Sequence, residues 1–341
     1  MGFDSPLGDK KKLEMSATKR HIKLLLLLAA GLLVACGPDV NPPQPETQDE
    51  IRLDVSIWQM MQGAPSRRVS TYDDQAALKA ETAGFRCFIY NENDITSYNA
   101  SEGSVVKWNS TQWQFQDGKH YWPASDALDF FCYMPATVPS YITNNSDVVS
   151  SVTYVAQNPQ FKCKELPMTA AGQSSLKEFI YALTTDRTKA QDGASGVTLT
   201  FQHPFARIKL QLAASHPNIN INSITFKSIQ NNGSYVHSGS TWTPLGDATD
   251  FELTFTGGAE VFDNNPVEPR QIGEYYIMIP QAWAGVIEVD ADCLFWGDKK
   301  NYPNLTTTVP TDWEPGHSYT YTFNISPDDL IVNVNKFTEQ W

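Results

Sequence analysis

Apolar and polar residues alternate along much of the chain, and the dominant period is two. Ile51, Leu53, Val55 and Ile57 are separated by Arg52, Asp54 and Ser56, with Trp58 following. Successive side chains of a strand point to opposite faces, so this spacing predicts a half-buried strand over 51–58. Gln62-Gly63-Ala64-Pro65-Ser66-Arg67-Arg68 then reads as a breaker-rich, exposed loop. A short helix is expected over Tyr72–Glu81. Further strands are expected over 84–90, 105–108, 112–115, 127–133, 151–156 and 179–184. The run Val197–Leu212 is strand-like but breaks at His203-Pro204, because proline cannot donate to a central ladder. Beyond it, strands are expected over 221–229, 251–256, 274–279, 286–295, 305–309, 318–325 and 330–337. Asn232-Gly233, Thr256-Gly257-Gly258, Asn301-Tyr302-Pro303 and Glu314-Pro315-Gly316 read as turns between them. Many short strands with almost no helix predict an all-β chain built of sandwiches.

The length of 341 residues suggests two domains at about 150 residues each. With 41% hydrophobic, 12% aromatic and 18% charged residues there is apolar material for two cores, which excludes a disordered or fibrous chain. The expected division is 51–205 and 206–341. A formal charge of −13 argues against a nucleic-acid partner, which selects a basic surface.

The start of the chain carries an export signal. Lys19, Arg20 and Lys23 precede an apolar run from Leu24 to Ala35, too short for the roughly 20 residues that span a bilayer. The run ends in Leu33-Val34-Ala35-Cys36, which resembles a bacterial lipobox. That resemblance implies a signal peptide over 1–35, cleavage before Cys36, and acylation of Cys36 by palmitate-type chains. Met1–Glu14 is polar and reads as an extension ahead of a start at Met15. Residues 36–50, with prolines at 38, 42, 43 and 45, read as an extended tether to the membrane.

Several segments in order resemble the fimbrillin family, the subunits of type V pili. They are the lipobox with its alternating strand and Arg-bearing loop, then Gly118-Lys119-His120-Tyr121-Trp122-Pro123 leading into Leu128-Asp129-Phe130-Phe131-Cys132-Tyr133-Met134-Pro135. Leu199-Thr200-Phe201-Gln202-His203-Pro204-Phe205-Ala206-Arg207-Ile208, Tyr276-Ile277-Met278-Ile279-Pro280-Gln281 and Trp313-Glu314-Pro315-Gly316-His317-Ser318-Tyr319-Thr320-Tyr321 follow. The resemblance implies two tandem transthyretin-like β-sandwich domains and a structural or adhesive role in the fimbrium. It implies an outer-membrane lipoprotein at the cell surface, cut by an Arg-specific surface protease at Arg67 or Arg68. The cut displaces the first strand, carrying Ile51, Leu53, Val55 and Ile57, and a neighbour's strand fills the groove. The donor candidate is the C-terminal segment, where Leu330, Val332 and Val334 alternate with Ile331, Asn333 and Asn335. Partners are then other fimbrial subunits, the protease, the membrane and adhesion ligands on host or bacterial surfaces.

Catalytic motifs are missing: no H-E-x-x-H, G-x-S-x-G, P-loop or dinucleotide fingerprint occurs, so no enzyme, cofactor or metal is expected. His120 and His317 follow turns and read as packing residues, and His203 as a strand-break residue. Asp73-Asp74 and Asp328-Asp329 stand at element ends, where a helix dipole favours them. Cys87 and Cys132 read as small buried hydrophobes; the sequence pairs neither of them, nor Cys163 or Cys293. Trp108, Trp113 and Trp122 lie near a hairpin and carry the alternative, a surface glycan-binding lipoprotein that does not polymerise; core packing is the plainer reading of them.

Overall fold

The all-β prediction holds. The computed structural model describes residues 49–57, 72–91, 98–99, 101–142, 153–155, 158–213, 219–261, 269–295, 298–326 and 329–340. Six sheets and three short helices account for them. Residues 49–341 cluster as one body.

The first large sheet has five strands in the order β4-β3-β2-β5-β8. These are β2 (Phe85–Asn91), β3 (Ser104–Trp108), β4 (Trp113–Phe115), β5 (Leu128–Met134) and β8 (Ile180–Arg187). All seven residues of β5 are buried. Its near-continuous Leu-Asp-Phe-Phe-Cys-Tyr-Met run is what a strand covered on both faces requires. One face, with Phe85, Ile89, Phe130, Met134 and Ile180, packs on β1 (Leu53–Ile57) and β9 (Val197–Phe201). The other face, with Phe88, Phe131, Tyr133 and Tyr181, packs on a second sheet through Phe161, Tyr235 and Trp242.

That second sheet runs β13-β12-β7-β6, from β6 (Thr153–Val155), β7 (Asn158–Cys163), β12 (Gly233–Val236) and β13 (Thr241–Pro244). The hairpin over 233–244 thus crosses back to strands from before residue 205. A second sandwich faces β15-β10-β20-β21 against β14-β11-β17-β18. The first of these comprises β10 (Ala206–Leu212), β15 (Arg270–Met278), β20 (His317–Ser326) and β21 (Asp329–Gln340). The second comprises β11 (Ile219–Gln230), β14 (Ala248–Val261), β17 (Val286–Phe295) and β18 (Asp298–Thr308). Ile208, Leu210, Tyr321 and Phe323 meet Ile224, Phe226, Leu253 and Val289 in their common core. The short pair β16 (Ala282–Trp283) and β19 (Thr311–Asp312) closes one end, where Trp283 and Trp313 stack at 5.1 Å.

Two expected turns are not turns. Thr256-Gly257-Gly258 lies inside β14, and Asn301-Tyr302-Pro303 lies inside β18. Ile221 pairs with Ala259 and Ser223 with Thr254, so the glycines fill an irregularity in a continuing ladder. Val289 pairs with Leu305 and Ala291 with Tyr302, which leaves Pro303 and Asn304 opposite Asp290. A bulge tolerates proline on an edge strand and spares glycine a side chain that would have to pack, so both breakers mark a bend, not an end. Asn232-Gly233 does mark a break: β11 ends at Gln230 and β12 begins at Gly233.

Among the helices, α1 (Gln75–Ala80) falls within the expected 72–81 stretch and is capped by Asp74, whose Oδ1 accepts the Ala77 N–H at 2.7 Å. Helices α2 (Ala170–Ser174) and α3 (Lys189–Asp192) are single turns.

Gly285 and Gly246 both adopt positive φ, 81° and 79°. A Cβ on Gly285 would run into the Val309 carbonyl, whereas one on Gly246 meets nothing within 4 Å. Gly246→Ala is expected to cost only the left-handed backbone term, about 1–2 kcal/mol. Gly285→Ala must also displace backbone and should cost visibly more. Urea denaturation of both variants measures this; equal losses would show that the backbone term alone matters.

Candidate functional site

β1 is held by two short runs of backbone hydrogen bonds. Before it, the Ile51 N–H donates to the His120 carbonyl at 2.8 Å and the Trp122 N–H to the Asp49 carbonyl at 3.0 Å. β1 then runs parallel to β9, with Leu53 opposite Val197 and Ile57 opposite Phe201. Among the described residues β9 is its only strand partner. From α1, the Gln75 side-chain amide donates to the Val55 carbonyl at 2.7 Å.

Side chains carry the larger share of the attachment. Ile51, Leu53, Val55 and Ile57 are all buried, in one core with Phe85, Phe115, Trp122, Phe130 and Phe201. Each such burial is worth about 1.5–3 kcal/mol. The ion pairs Lys119–Glu50 at 2.7 Å and Lys189–Asp49 at 3.1 Å sit in solvent and add little.

The chain is described again at Tyr72, and there its attachment changes character. Tyr72 is buried, and its hydroxyl donates to Glu81 Oε2 at 2.8 Å. Lys177 Nζ reaches both Glu81 oxygens at 3.1 Å, and the Ala83 N–H donates to Oε1 at 2.9 Å. Burial alone would raise the Glu81 carboxyl, but the Ala83 N–H, the Tyr72 hydroxyl and Lys177 outweigh it and hold it below the usual carboxylate range. Burial and the Glu81 carboxylate push the Tyr72 hydroxyl far up, so it remains a neutral donor. Asp73 pairs with Arg207 at 3.1 Å; Arg207 lies 4.6 Å from the Tyr275 ring centre, and its Nε donates to Ser318 Oγ at 3.3 Å. Asp74 caps α1. Three consecutive residues are thus fixed to the body by directional contacts. Of these contacts, only the helix-start role of the aspartates could be read locally; Glu81, Lys177 and Arg207 lie too far along the chain to be linked to Tyr72 and Asp73 by pattern.

The remaining predicted residues fall as follows. Arg67, Arg68 and Cys36 lie outside the described residues. Leu330, Val332 and Val334 lie on β21, an edge strand of its own sheet, opposite Ile325, Phe323 and Tyr321 of β20. The structure therefore brings the first strand and the Tyr72–Asp74 anchors to one seat and leaves the C-terminal strand paired within its own sandwich. Trp113 and Trp122 are buried core residues and Trp108 packs against them, with Lys79 Nζ 4.3 Å from its ring centre. The three tryptophans form no exposed sugar platform. His203, read as a strand-break residue, is also half of a buried pair: its Nδ1 lies 2.7 Å from Glu178 Oε1, both side chains being sealed from solvent. Burial raises the Glu178 carboxyl and the imidazole opposes this. A pair without solvent access ties the chain before β8 to the β9–β10 break and offers no substrate a route. Among the described residues no cluster of His, Cys, Asp or Glu could hold a metal, and no helix is long and apolar enough to cross a membrane.

A sequence model of the family described as fimbrillin-like matches residues 69–341. The chain belongs to the fimbrillin-like family. Among solved structures, a fimbrial protein from Bacteroides vulgatus superposes with a TM-score of 0.60 at 14% identity, over 84% of this chain and 98% of that one. A proposed cell adhesion protein from Bacteroides ovatus gives 0.50 at 14% identity, over 86% and 98%. At this identity the likeness concerns the fold. Comparison with curated proteins returned no match. In this fimbrillin-like chain the matched segment opens at Val69, directly after Arg68, and leaves β1 out.

Glu81 gives the seat a pH signature. Its folded carboxyl is held below the ordinary value of 4.5, so its contribution is complete above that value and fades as pH falls through the lowered one. Glu81→Gln should lose about 1–2 kcal/mol at about pH 7, and the gap to wild type should narrow below about pH 4. Urea titrations at both pH values test this; a gap independent of pH would remove the carboxylate from the account.

Proposed function

We propose that this fimbrillin-like protein is a structural subunit of a surface fimbrium, exported as a lipoprotein on Cys36 and joined to its neighbours by strand exchange at the β1 seat. One observation carries the reading. The inward face of β1 is buried, it has a single strand partner among the described residues, and Tyr72, Asp73 and Asp74 hold the chain to the body by directional contacts. A cut after Arg67 or Arg68 would free β1 and leave the Tyr72–Asp74 anchors in place. The family match beginning at Val69 supports a subunit that starts after that cut.

Loss of β1 would uncover β9 and an apolar slot, a combination that folded proteins otherwise protect. An extended strand with the same alternation can fill it. Leu330-Ile331-Val332-Asn333-Val334 repeats the Leu-x-Val-x-aliphatic order of Leu53-Asp54-Val55-Ser56-Ile57, which supports β21 as the donor. A slot at one place and a donor at another make a head-to-tail contact that need not close, and such contacts grow filaments. On this reading the partners are other subunits, an Arg-specific surface protease and the outer membrane. The two sandwiches divide at the β9–β10 break near 205–206, save for the hairpin over 233–244 that pairs with β7 of the first, and the role is structural, not catalytic.

Digestion of the purified full chain with an Arg-specific protease, followed by N-terminal sequencing and electron microscopy, tests the reading. One cut after Arg67 or Arg68 and then filaments are expected. The double variant Arg67→Lys/Arg68→Lys should stay uncut and monomeric; filaments from it would overturn strand exchange triggered at this loop. Truncation after Asp329 should leave processed subunits folded, as judged by circular dichroism, but unable to polymerise. Filaments from folded, truncated subunits would remove β21 as the donor.

A further inference from the structure

β2 and β5 are neighbours at the centre of the five-stranded sheet, and their antiparallel register sets Cys87 directly opposite Cys132. The backbone fixes how closely. The Cys87 carbonyl accepts from Asn99 Nδ2 at 2.8 Å. Two residues on, Ile89 gives its N–H to Asn99 Oδ1 at 3.0 Å and takes the Tyr98 N–H on its carbonyl at 2.7 Å. Alternate residues of a strand turn their backbone groups to the same side, so Cys87 and Ile89 both face away from β5. Cys87 and Cys132 therefore form a non-hydrogen-bonded pair. In such pairs Cα atoms stand about 4.5 Å apart and side chains are drawn together, within the roughly 4.4–6.8 Å that a disulfide spans.

Both side chains point the same way. Phe85, Cys87 and Ile89 share one core with Phe130, Cys132 and Met134, and both cysteines are completely buried. Besides burial, Cys87 is the side chain that acts on the Cys132 thiol. The other cysteines of the described strands have no such neighbour. Cys163 stands opposite Gly233, and Cys293 opposite Ile219 and Lys300.

We propose that Cys87 and Cys132 are a disulfide-forming pair, joined when the chain folds in the presence of a protein disulfide. The occasion for this rests on the export reading above; the pairing does not. One cysteine thiolate attacks the donor disulfide, forms a mixed disulfide and releases one donor thiol. The second thiolate then displaces the remaining donor sulfur. The two cysteines lose two protons and two electrons, and the donor leaves as a dithiol. Burial pushes the Cys132 thiol well up, so the exchange belongs to the folding chain before the sheet is covered. Afterwards the bond is shielded from reductants. It crosses the two central strands on the face that β1 covers, and it would keep the slot in register whether or not β1 is seated.

The test refolds the reduced full-length chain with a glutathione redox pair, blocks free thiols by alkylation and maps the peptides. A Cys87–Cys132 cross-link is expected, with Cys163 and Cys293 alkylated. The oxidised protein should melt about 5–10 °C above its reduced form, a gap that Cys87→Ala/Cys132→Ala abolishes. Alkylation of both Cys87 and Cys132, or their linkage to other cysteines, overturns the proposal. The same map on protein recovered from cells separates the two readings: a link after refolding but free thiols in the cell-derived chain upholds the pair and counts against export.

Discussion

The inner face of the five-stranded sheet must be covered, and β9 alone does not cover it. That face presents Phe85, Ile89, Phe130 and Ile180, and β1 covers it together with β9, Tyr72, Leu78 and Trp122. The sheet cannot shield itself by shifting, because its other face is already committed to Phe161, Tyr235 and Trp242. A middle layer packed on both sides is rigid in register and in position. It can exchange one covering strand for another of the same pattern, but it does not tolerate leaving the place empty. The proposed strand exchange suits such a layer for that reason.

The two ends of the segment between Ile57 and Tyr72 are held by different kinds of force. On the β1 side the hold is chiefly apolar, and apolar burial is not directional. Any chain with aliphatic residues at alternate positions can reproduce it. On the Tyr72 side the hold is a set of specific hydrogen bonds and ion pairs: Tyr72 to Glu81, which Lys177 also holds, Asp73 to Arg207 and the Asp74 cap. Arg207 belongs to β10 and also reaches Ser318 of β20, so this grip ties the chain at Asp73 to the second sandwich. Replaceable contacts lie before the segment and irreplaceable ones after it.

The period of two made most strands legible, because those outside the middle sheet cover a core on one face only. The break at His203-Pro204, the helix after Tyr72 and the burial of Ile51, Leu53, Val55 and Ile57 follow from rules that act within a few residues. What the sequence hid was long-range. Gly257-Gly258 and Pro303 look like turns until the ladders on both sides show the strands continuing past them. β7 was illegible because Pro159 stands in it, and β12 because a glycine begins it; both strands exist by pairing with each other across 70 residues of chain. The same limit applies to the site. The strand was readable and its anchors were not, since Glu81, Lys177 and Arg207 meet Tyr72 and Asp73 only in the folded body. Cys87 and Cys132 each read as a buried hydrophobe, and only the register showed that they face one another.

On the proposed reading, cutting the loop would not by itself empty the seat. The four aliphatic side chains of β1 keep their contacts, at about 1.5–3 kcal/mol each, when the bond after Arg67 or Arg68 is broken. What changes is connectivity. Before the cut β1 is tethered, and its high effective concentration defeats any competitor. After the cut it is an ordinary peptide ligand, and its return competes with any strand offered in its place. The gross apolar gain is of the same order as the roughly 5–15 kcal/mol that holds a whole domain together. An empty subunit would therefore be scarce, and exchange would proceed by displacement, with the incoming strand pairing to β9 as β1 peels away. On that proposal proteolysis would license assembly and the neighbouring subunit would drive it.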